Sequence, residues 1–101
     1  MDLTAVDGFD WDDGNWPKCA KQGVSREEIE AIFRTNVVVG LDRYPNAVEQ
    51  RFNAVGNPAS GRMIFVVFTL RIVDGITLIR PISARYMHRK EIARYEQRKE
   101  A

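Results

Sequence analysis

The sequence predicts an α+β fold, in which helices flank a small antiparallel β-sheet and a C-terminal helix ends the chain. Helical patterns occur at 13–22 and after Ser25, and a charge-rich helical segment runs from about Met87 to Glu100. Between them lie short runs of β-branched and apolar residues, at 37–41, 49–55, 63–70 and 76–83. At 101 residues the chain is long enough for one domain, so we expect residues 1–101 to form a single domain.

Two short elements are expected near the N-terminus. Residues 6–11 (VDGFDW) predict a short edge strand. Residues 13–22 (DGNWPKCAKQ) predict a turn that leads into a short helix, with Pro17 in its first turn, where a missing backbone N–H costs nothing.

The helix after Ser25 is predicted by its N-terminal residues. Ser25 and Glu28 have the spacing of a capping box, and Val24 with Ile29 has that of a hydrophobic staple. Ile29, Ile32 and Phe33 then recur on one face, which predicts a helix to about Arg34.

Alternation and turn residues define the strands. Residues 49–55 place Gln50, Phe52 and Ala54 on one face and Glu49, Arg51 and Asn53 on the other, after a loop expected at 42–46.

The run 63–70 (MIFVVFTL) is apolar on both faces, which predicts an interior strand covered on both sides by helices or by a dimer contact. Asp74-Gly75 predicts a hairpin turn. Pro81 in the following strand, 76–83, predicts an edge position or a bulge.

Charge is distributed unevenly along the chain. Residues 1–50 carry ten acidic and five basic residues, whereas residues 51–101 carry four acidic and ten basic ones. Arginine supplies 11 of the 15 basic residues, and its planar fork binds phosphate oxygens bidentately. This bias favours phosphate or nucleic-acid contact, although ordinary surface ion pairs would account for it as well.

Several classes of protein are disfavoured by composition. A lone cysteine, Cys19, excludes an internal disulfide, and no apolar run approaches the roughly 20 residues of a membrane span. The acidic N-terminus lacks a signal-peptide pattern, so we expect a cytoplasmic protein. One histidine and one cysteine cannot build a zinc site, and no glycine-rich phosphate loop is present. We therefore expect no metal and no cofactor.

Five segments, taken in order, resemble the BrnT toxins of type II toxin–antitoxin systems. The resemblance covers roughly residues 9–97. The segments are Trp11-Asp12, Lys21–Ser25, Glu49–Phe52 with the strand Phe65–Phe68 beyond a glycine-containing turn, Ile82–Arg85, and Arg89–Glu91 followed by Tyr95-Glu96.

This resemblance implies a RelE-like fold and ribosome-independent cleavage of RNA. It also implies neutralisation by a cognate, BrnA-like antitoxin in a higher-order toxin–antitoxin complex. The family usually has Lys-His-Gly where this chain has Lys21-Gln22-Gly23, and an asparagine where it has Lys18. Two alternatives therefore remain: a catalytically weakened module that still binds the antitoxin, and a nucleic-acid-binding domain unrelated to toxins.

RNA cleavage without a metal requires a base, an acid and cations that stabilise the charge on phosphorus. Arg51, Arg80 and Arg85 are the candidate cations, and Lys18, Arg89 and Lys90 are candidate RNA contacts. Arg80 and Arg85 are five residues apart and would face opposite ways on an unbroken strand. Both can serve one site only if Pro81 marks a bulge or if Arg85 lies beyond the strand end.

The sequence leaves open which residues act as general base and general acid. His88 is the sole histidine and suits acid–base chemistry near neutral pH, although a solvated or helix-capping role is the simpler interpretation. A second carrier would come from a short list of residues, namely Glu49, Lys18, Lys21 and Tyr86. Glu49 could instead form a surface ion pair with Arg51.

Overall fold

Eight elements form the part of the chain that the structure describes, which is residues 6–35, 37–42, 49–58 and 61–100 of a computed structural model. The predicted α+β fold is confirmed. The elements are β1 (Gly8–Phe9), α1 (Trp16–Ala20), α2 (Arg26–Ile32), β2 (Val38–Leu41), β3 (Phe52–Gly56), β4 (Ile64–Val73), β5 (Ile76–Tyr86) and α3 (Arg89–Glu100).

The strands form one sheet in the order β1-β5-β4-β3-β2. Its neighbours are antiparallel except for the short β1, which pairs in parallel with β5 through Gly8 and Phe9. β4 lies between β5 and β3, so the interior position predicted for the apolar run is confirmed. The loop expected at 42–46 lies, apart from Asp42, outside the described residues.

The local predictions for the helices are confirmed. The Ser25 hydroxyl accepts a hydrogen bond from the Glu28 backbone N–H at 3.1 Å, and the Glu28 carboxylate accepts one from the Ser25 N–H at 3.1 Å. Val24 and Ile29 are both buried. Pro17 lies in the first turn of α1, and α2 ends at Ile32, two residues before the expected Arg34.

The hairpin between β4 and β5 has the predicted turn and the predicted bulge. Asp74 and Gly75 have φ values of 51° and 79°, which is the left-handed region that this tight connection requires. Farther along, Phe68 pairs with Pro81 but Val67 pairs with Ser83, so Ile82 is an extra residue in β5. The ladder continues to Tyr86, three residues beyond the expected end.

Pro81 is accommodated because β5 has lost its outer neighbour at that point. The pairing with β1 stops at Ile79. Beyond it, the Asn15 side-chain amide donates to the carbonyl oxygens of Pro81 at 2.8 Å and Asp10 at 2.9 Å. A side chain at the start of α1 thus completes hydrogen bonding along an edge where a strand ends.

The hydrophobic core lies between α1, α2 and one face of the sheet, which we call the core face. Gly56 on β3 approaches α2 so closely that a Cβ at this position would lie 2.8 Å from the Ile32 Cβ. The packed residues are Cys19, Val24, Ile29, Ile32, Ala54, Ile64, Val66, Phe68, Ile79 and Ala84.

The opposite face, which we call the cleft face, carries the alternate residues of the same strands. Phe65 and Val67 of β4 lie on it and are only partly buried. The sequence predicted cover on both sides of β4, but α1 and α2 cover only the core face. The cleft face borders a cleft instead, to which α3 contributes Glu91, Arg94 and Tyr95.

Candidate active site

A cleft of about 570 Å³ lies on the cleft face, beside α3. Its floor is apolar, and arginines and two carboxylates from four separate segments of the chain surround it. The lining residues are Asp42, Arg51, Asn53, Val55, Phe65, Val67, Ile82, Ser83, Arg85, Met87, Glu91, Arg94 and Tyr95.

Strand register brings Arg51 and Arg85 to this one cleft. Arg85 pairs with Phe65 across β5 and β4, and Asn53, two residues after Arg51, pairs with Val67 across β3 and β4. Paired residues, and residues two apart on a strand, share a face of the sheet. Arg51 and Arg85, two of the three predicted cations, are 34 positions apart in the sequence and line the same cleft.

Arg85 is held by a carboxylate from α3. Its Nη1 and Nη2 donate to the two Glu91 carboxylate oxygens, each at 2.7 Å, and its guanidinium lies 4.8 Å from the centroid of the Phe65 ring. The Arg85 side chain is nevertheless 40% exposed. A bidentate pair with this exposure orients the guanidinium while leaving it accessible from the cleft.

Glu91 was missed by the sequence reasoning as a site residue, although it belongs to the Arg89–Glu91 segment that carries the resemblance. The two hydrogen bonds from Arg85, then one from the His88 backbone N–H at 3.0 Å, lower the pKa of Glu91 to about 2. The available signal was an acidic residue in the first turn of the last helix, close in sequence to Arg85.

Arg51 differs from Arg85 in having no carboxylate within 4 Å among the described residues. It immediately precedes β3, and its carbonyl oxygen accepts a hydrogen bond from the Asp42 backbone N–H at 3.0 Å. Asn53 lies two residues farther on, and its side-chain Oδ1 is buried without a hydrogen-bond partner in the described parts of the chain. Among the described residues, Arg51 thus lies at the cleft without a carboxylate partner, beside a polar group that its neighbours leave unsatisfied.

Arg80 lies outside the cleft, although the bulge places it on the cleft face. It pairs with Thr69 of β4, and its guanidinium donates to Asp10 at 3.1 Å and to Asp12 at 2.9 Å. Its side chain is only 13% exposed. The hydrogen bonds from Arg80, foremost, lower the pKa of Asp12. The structure does not bring Arg80 together with Arg51 and Arg85.

Glu49 also lies outside the cleft. Its carboxylate is 3.7 Å from Arg71, whose Nε lies 3.8 Å from Asp10. The ion pair considered from the sequence, between Glu49 and Arg51, is absent in the described residues, and Arg71 is the partner instead.

The other predicted residues are exposed and do not line the cleft. His88 lies between β5 and α3, and Arg89 and Lys90 occupy the first turn of α3. Lys18 lies on α1, and Lys21 and Gln22 lie in the turn that follows it. His88 is nevertheless linked to the cleft, because its backbone N–H donates to the cleft residue Glu91 at 3.0 Å.

Tyr86 is already engaged on the core face. Its hydroxyl is 2.9 Å from both carboxylate oxygens of Glu28, to which it donates, and this interaction raises the pKa of Tyr86. The Arg62 guanidinium lies 4.3 Å from its ring centroid. Cys19 is buried, and desolvation raises the pKa of its thiol to about 11, which makes it a poor nucleophile.

Two further features of the described residues concern ligands and membranes. They contain no group of three or more His, Cys, Asp and Glu side chains arranged to hold a metal ion. None of their helices is both long and apolar enough to cross a membrane.

The fold and the cleft together define a small α+β domain with an arginine-lined site suited to phosphate chemistry. The family model for the ribonuclease toxin BrnT, of type II toxin–antitoxin systems, matches residues 11–91. The chain belongs to this family of ribonuclease toxins, and the resemblance found in the sequence is confirmed. The match includes Arg51, Arg85 and Glu91. No curated protein sequence matches the chain at a significant level.

Proposed function

We propose that this chain is a cytoplasmic endoribonuclease toxin that cleaves RNA without a metal ion and without the ribosome. The scissile phosphate binds in the cleft, between Arg51 and Arg85. One observation supports the proposal: Arg85 from β5 and Arg51 from the segment before β3 both line the same accessible cleft. Guanidinium groups placed in this way stabilise the negative charge that develops on phosphorus during cleavage.

The cleft has the additional surfaces that an RNA chain requires. Phe65, Val67 and Val55 provide an apolar floor, and Tyr95 of α3 offers a ring on which a nucleobase can stack. Arg89 and Lys90 are exposed in the first turn of α3, the helix that contributes Glu91, Arg94 and Tyr95 to the cleft, and would bind neighbouring phosphates, with Lys18 as a more distant contact. His88, exposed at the start of α3, would protonate the departing 5′-oxygen.

Neutralisation by an antitoxin follows from the same electrostatics. A BrnA-like partner would present acidic residues to Arg51 and Arg85 and would prevent RNA from entering the cleft, within a higher-order complex of both proteins. Arg80 contributes less to this surface than the sequence predicted, because Asp10 and Asp12 already neutralise it. An antitoxin that silenced the toxin while leaving the cleft open would contradict masking by occlusion.

The competing function is a binding module that has lost catalysis, and Gln22 is the feature that favours it. Gln22 stands where the family usually has histidine, but it is exposed and does not line the cleft. We therefore expect the wild-type chain to retain activity. If the departure matters, Gln22→His raises the cleavage rate; a wild-type protein that binds antitoxin but cleaves no RNA would establish the binding module.

The experiment is a cleavage time course on purified protein and a defined RNA, with and without chelator and at several salt concentrations. We expect chelator-resistant cleavage, and an RNA affinity that falls steeply with salt as phosphate neutralisation releases counterions. Induced expression in a bacterium should arrest growth and degrade RNA. Cleavage that ceases with chelator, or occurs only on ribosomes, would contradict the proposal.

A further inference from the structure

Glu91 is the one carboxylate of the cleft that is fixed in position by hydrogen bonds from its neighbours. Both of its oxygens accept from Arg85 at 2.7 Å, and Oε1 also accepts from the His88 N–H at 3.0 Å. Its side chain is 29% exposed and borders the cleft that holds Arg51. Asp42, the other carboxylate that lines the cleft, makes no such side-chain bonds among the described residues.

Metal-free RNA cleavage needs a group that removes the proton of the 2′-hydroxyl, and arginine, which remains protonated, is a poor base. The attacking 2′-oxygen lies next to the phosphate it attacks. A base must therefore lie beside the cation that binds this phosphate. Glu91 is in contact with Arg85, whereas Glu49, Lys18, Lys21 and Tyr86 all lie outside the cleft.

We propose that Glu91 is the general base of this site, an inference that rests on the proposed cleavage of RNA in the cleft. Glu91 takes the 2′-hydroxyl proton, and the electron pair of that oxygen forms the new bond to phosphorus. The bond from phosphorus to the 5′-oxygen breaks, and the 5′-oxygen keeps the electron pair and takes a proton from the His88 imidazolium. The products are a 2′,3′-cyclic phosphate and a 5′-hydroxyl.

The resting ion pair prepares this step. A bound phosphate competes with Glu91 for the Arg85 guanidinium, which is accessible from the cleft. Once the guanidinium turns to the phosphate, the largest influence that lowers the pKa of Glu91 is weakened, and the carboxylate becomes a stronger base. The His88 backbone N–H continues to hold Oε1, so the carboxylate stays beside the reacting atoms.

The charged groups that face Glu91 come from every side of the cleft. Arg85 approaches from β5, Arg51 from the segment before β3, Asp42 from the end of β2, and His88 and Arg94 from the neighbourhood of α3. Cations predominate in this set, so Glu91 stays ionised across the neutral and mildly acidic range. Cleavage by a carboxylate base should therefore persist at mildly acidic pH, where a neutral histidine base would already be protonated.

The test is a kinetic comparison on a substrate that needs a base but no acid, a uridine 3′-phosphate ester with a p-nitrophenolate leaving group. For Glu91→Gln we expect kcat to fall about a hundredfold or more, a typical loss for a general base. KM should stay equal or fall, because a neutral amide competes less with the phosphate for Arg85. His88→Ala should retain most of its kcat on this substrate and lose more on RNA.

The matched control is Glu27→Gln, an exposed glutamate in the first turn of α2, which should keep the wild-type kcat. Glu91→Ala should regain part of its rate with added formate, which supplies a carboxylate to the cavity. Circular dichroism establishes that each variant is folded.

The outcomes separate the two proposals. If wild-type protein cleaves RNA but folded Glu91→Gln keeps its kcat, Glu91 is only a partner of Arg85 and the assignment of the base is wrong. A large loss in Asp42→Asn with none in Glu91→Gln would transfer the role to Asp42. If wild-type protein cleaves neither RNA nor the ester, the proposed function itself fails.

Discussion

Arg80 and Arg85 lie five residues apart on β5, on the same face of the sheet, and each is paired with a carboxylate. Arg80 is held by Asp10 and Asp12, and its side chain is 13% exposed. Among the described residues, Glu91 is the carboxylate that holds Arg85, whose side chain is 40% exposed. The first arginine faces a closed network of charges, and the second faces a cleft.

The carboxylates themselves are fixed in different ways. Asp12 also accepts a hydrogen bond from the Gly14 N–H at 2.7 Å, within a turn that Asn15 ties to Pro81 on β5. Arg80 therefore anchors the N-terminal segment to the sheet. Glu91 belongs to the first turn of α3, so its pair with Arg85 joins a helix to the rim of the cleft. In our proposal, the pairing of Arg80 with carboxylates therefore supports the structure, and the pairing of Arg85 with Glu91 supports the chemistry.

The largest effect that we expect is a loss of RNA cleavage rate when an arginine of the cleft is replaced. We expect Arg85→Ala and Arg51→Ala each to lower the rate about a hundredfold or more, the usual loss when one donor to a developing charge is removed. Arg85→Lys and Arg51→Lys should restore little, because a point charge does not reproduce bidentate geometry. An RNA cleavage time course measures the loss, with circular dichroism as the control for folding.

Full activity in both folded arginine-to-alanine variants would remove these residues from the mechanism. The comparison between the two ends of β5 would then have no functional meaning, and the binding-module interpretation would gain support.

A smaller effect is expected at Arg80, and on stability instead of rate. Arg80→Ala removes the hydrogen bonds to Asp10 and Asp12 and loosens the N-terminal segment, which should lower the free energy of unfolding by about 1 kcal/mol. Urea denaturation measures this change, and cleavage per folded molecule should remain within about threefold of wild type. A hundredfold loss of rate in a folded Arg80→Ala variant would contradict the division of roles.

The smallest effect concerns the pH dependence of the Arg85–Glu91 pair. The pKa of Glu91 is lowered from 4.5 to about 2 in the folded chain, so the pair stabilises the fold fully above about pH 4.5. That contribution is lost as the pH falls toward 2. Wild type should therefore exceed Glu91→Gln in stability at pH 7, and the difference should shrink at pH 3, as measured by urea denaturation. A difference that did not change with pH would show that ionisation of Glu91 contributes nothing to the stability of the fold.

Sequence reasoning succeeded where interactions are local. The capping box of Ser25 and Glu28 involves atoms three residues apart, and the Asp74-Gly75 turn follows from the backbone freedom of adjacent residues. The apolar run of β4 correctly predicted an interior strand, although only one of its faces is covered by helices. Residues brought together by strand register were identified only in part: of the three arginines proposed as cations from the sequence, Arg51 and Arg85 line one cleft.

The sequence by itself determined the α+β class, the family and the set of candidate arginines. The tertiary structure alone decided which of these arginines is accessible, because Asp10 and Asp12 reach Arg80 from nearly 70 residues away. It also decided the pairing of Glu91 with Arg85, which depends on the direction in which α3 leaves β5. Local propensity and periodicity contain no information on such partners, since strand register and the docking of α3 are set by packing over the whole chain.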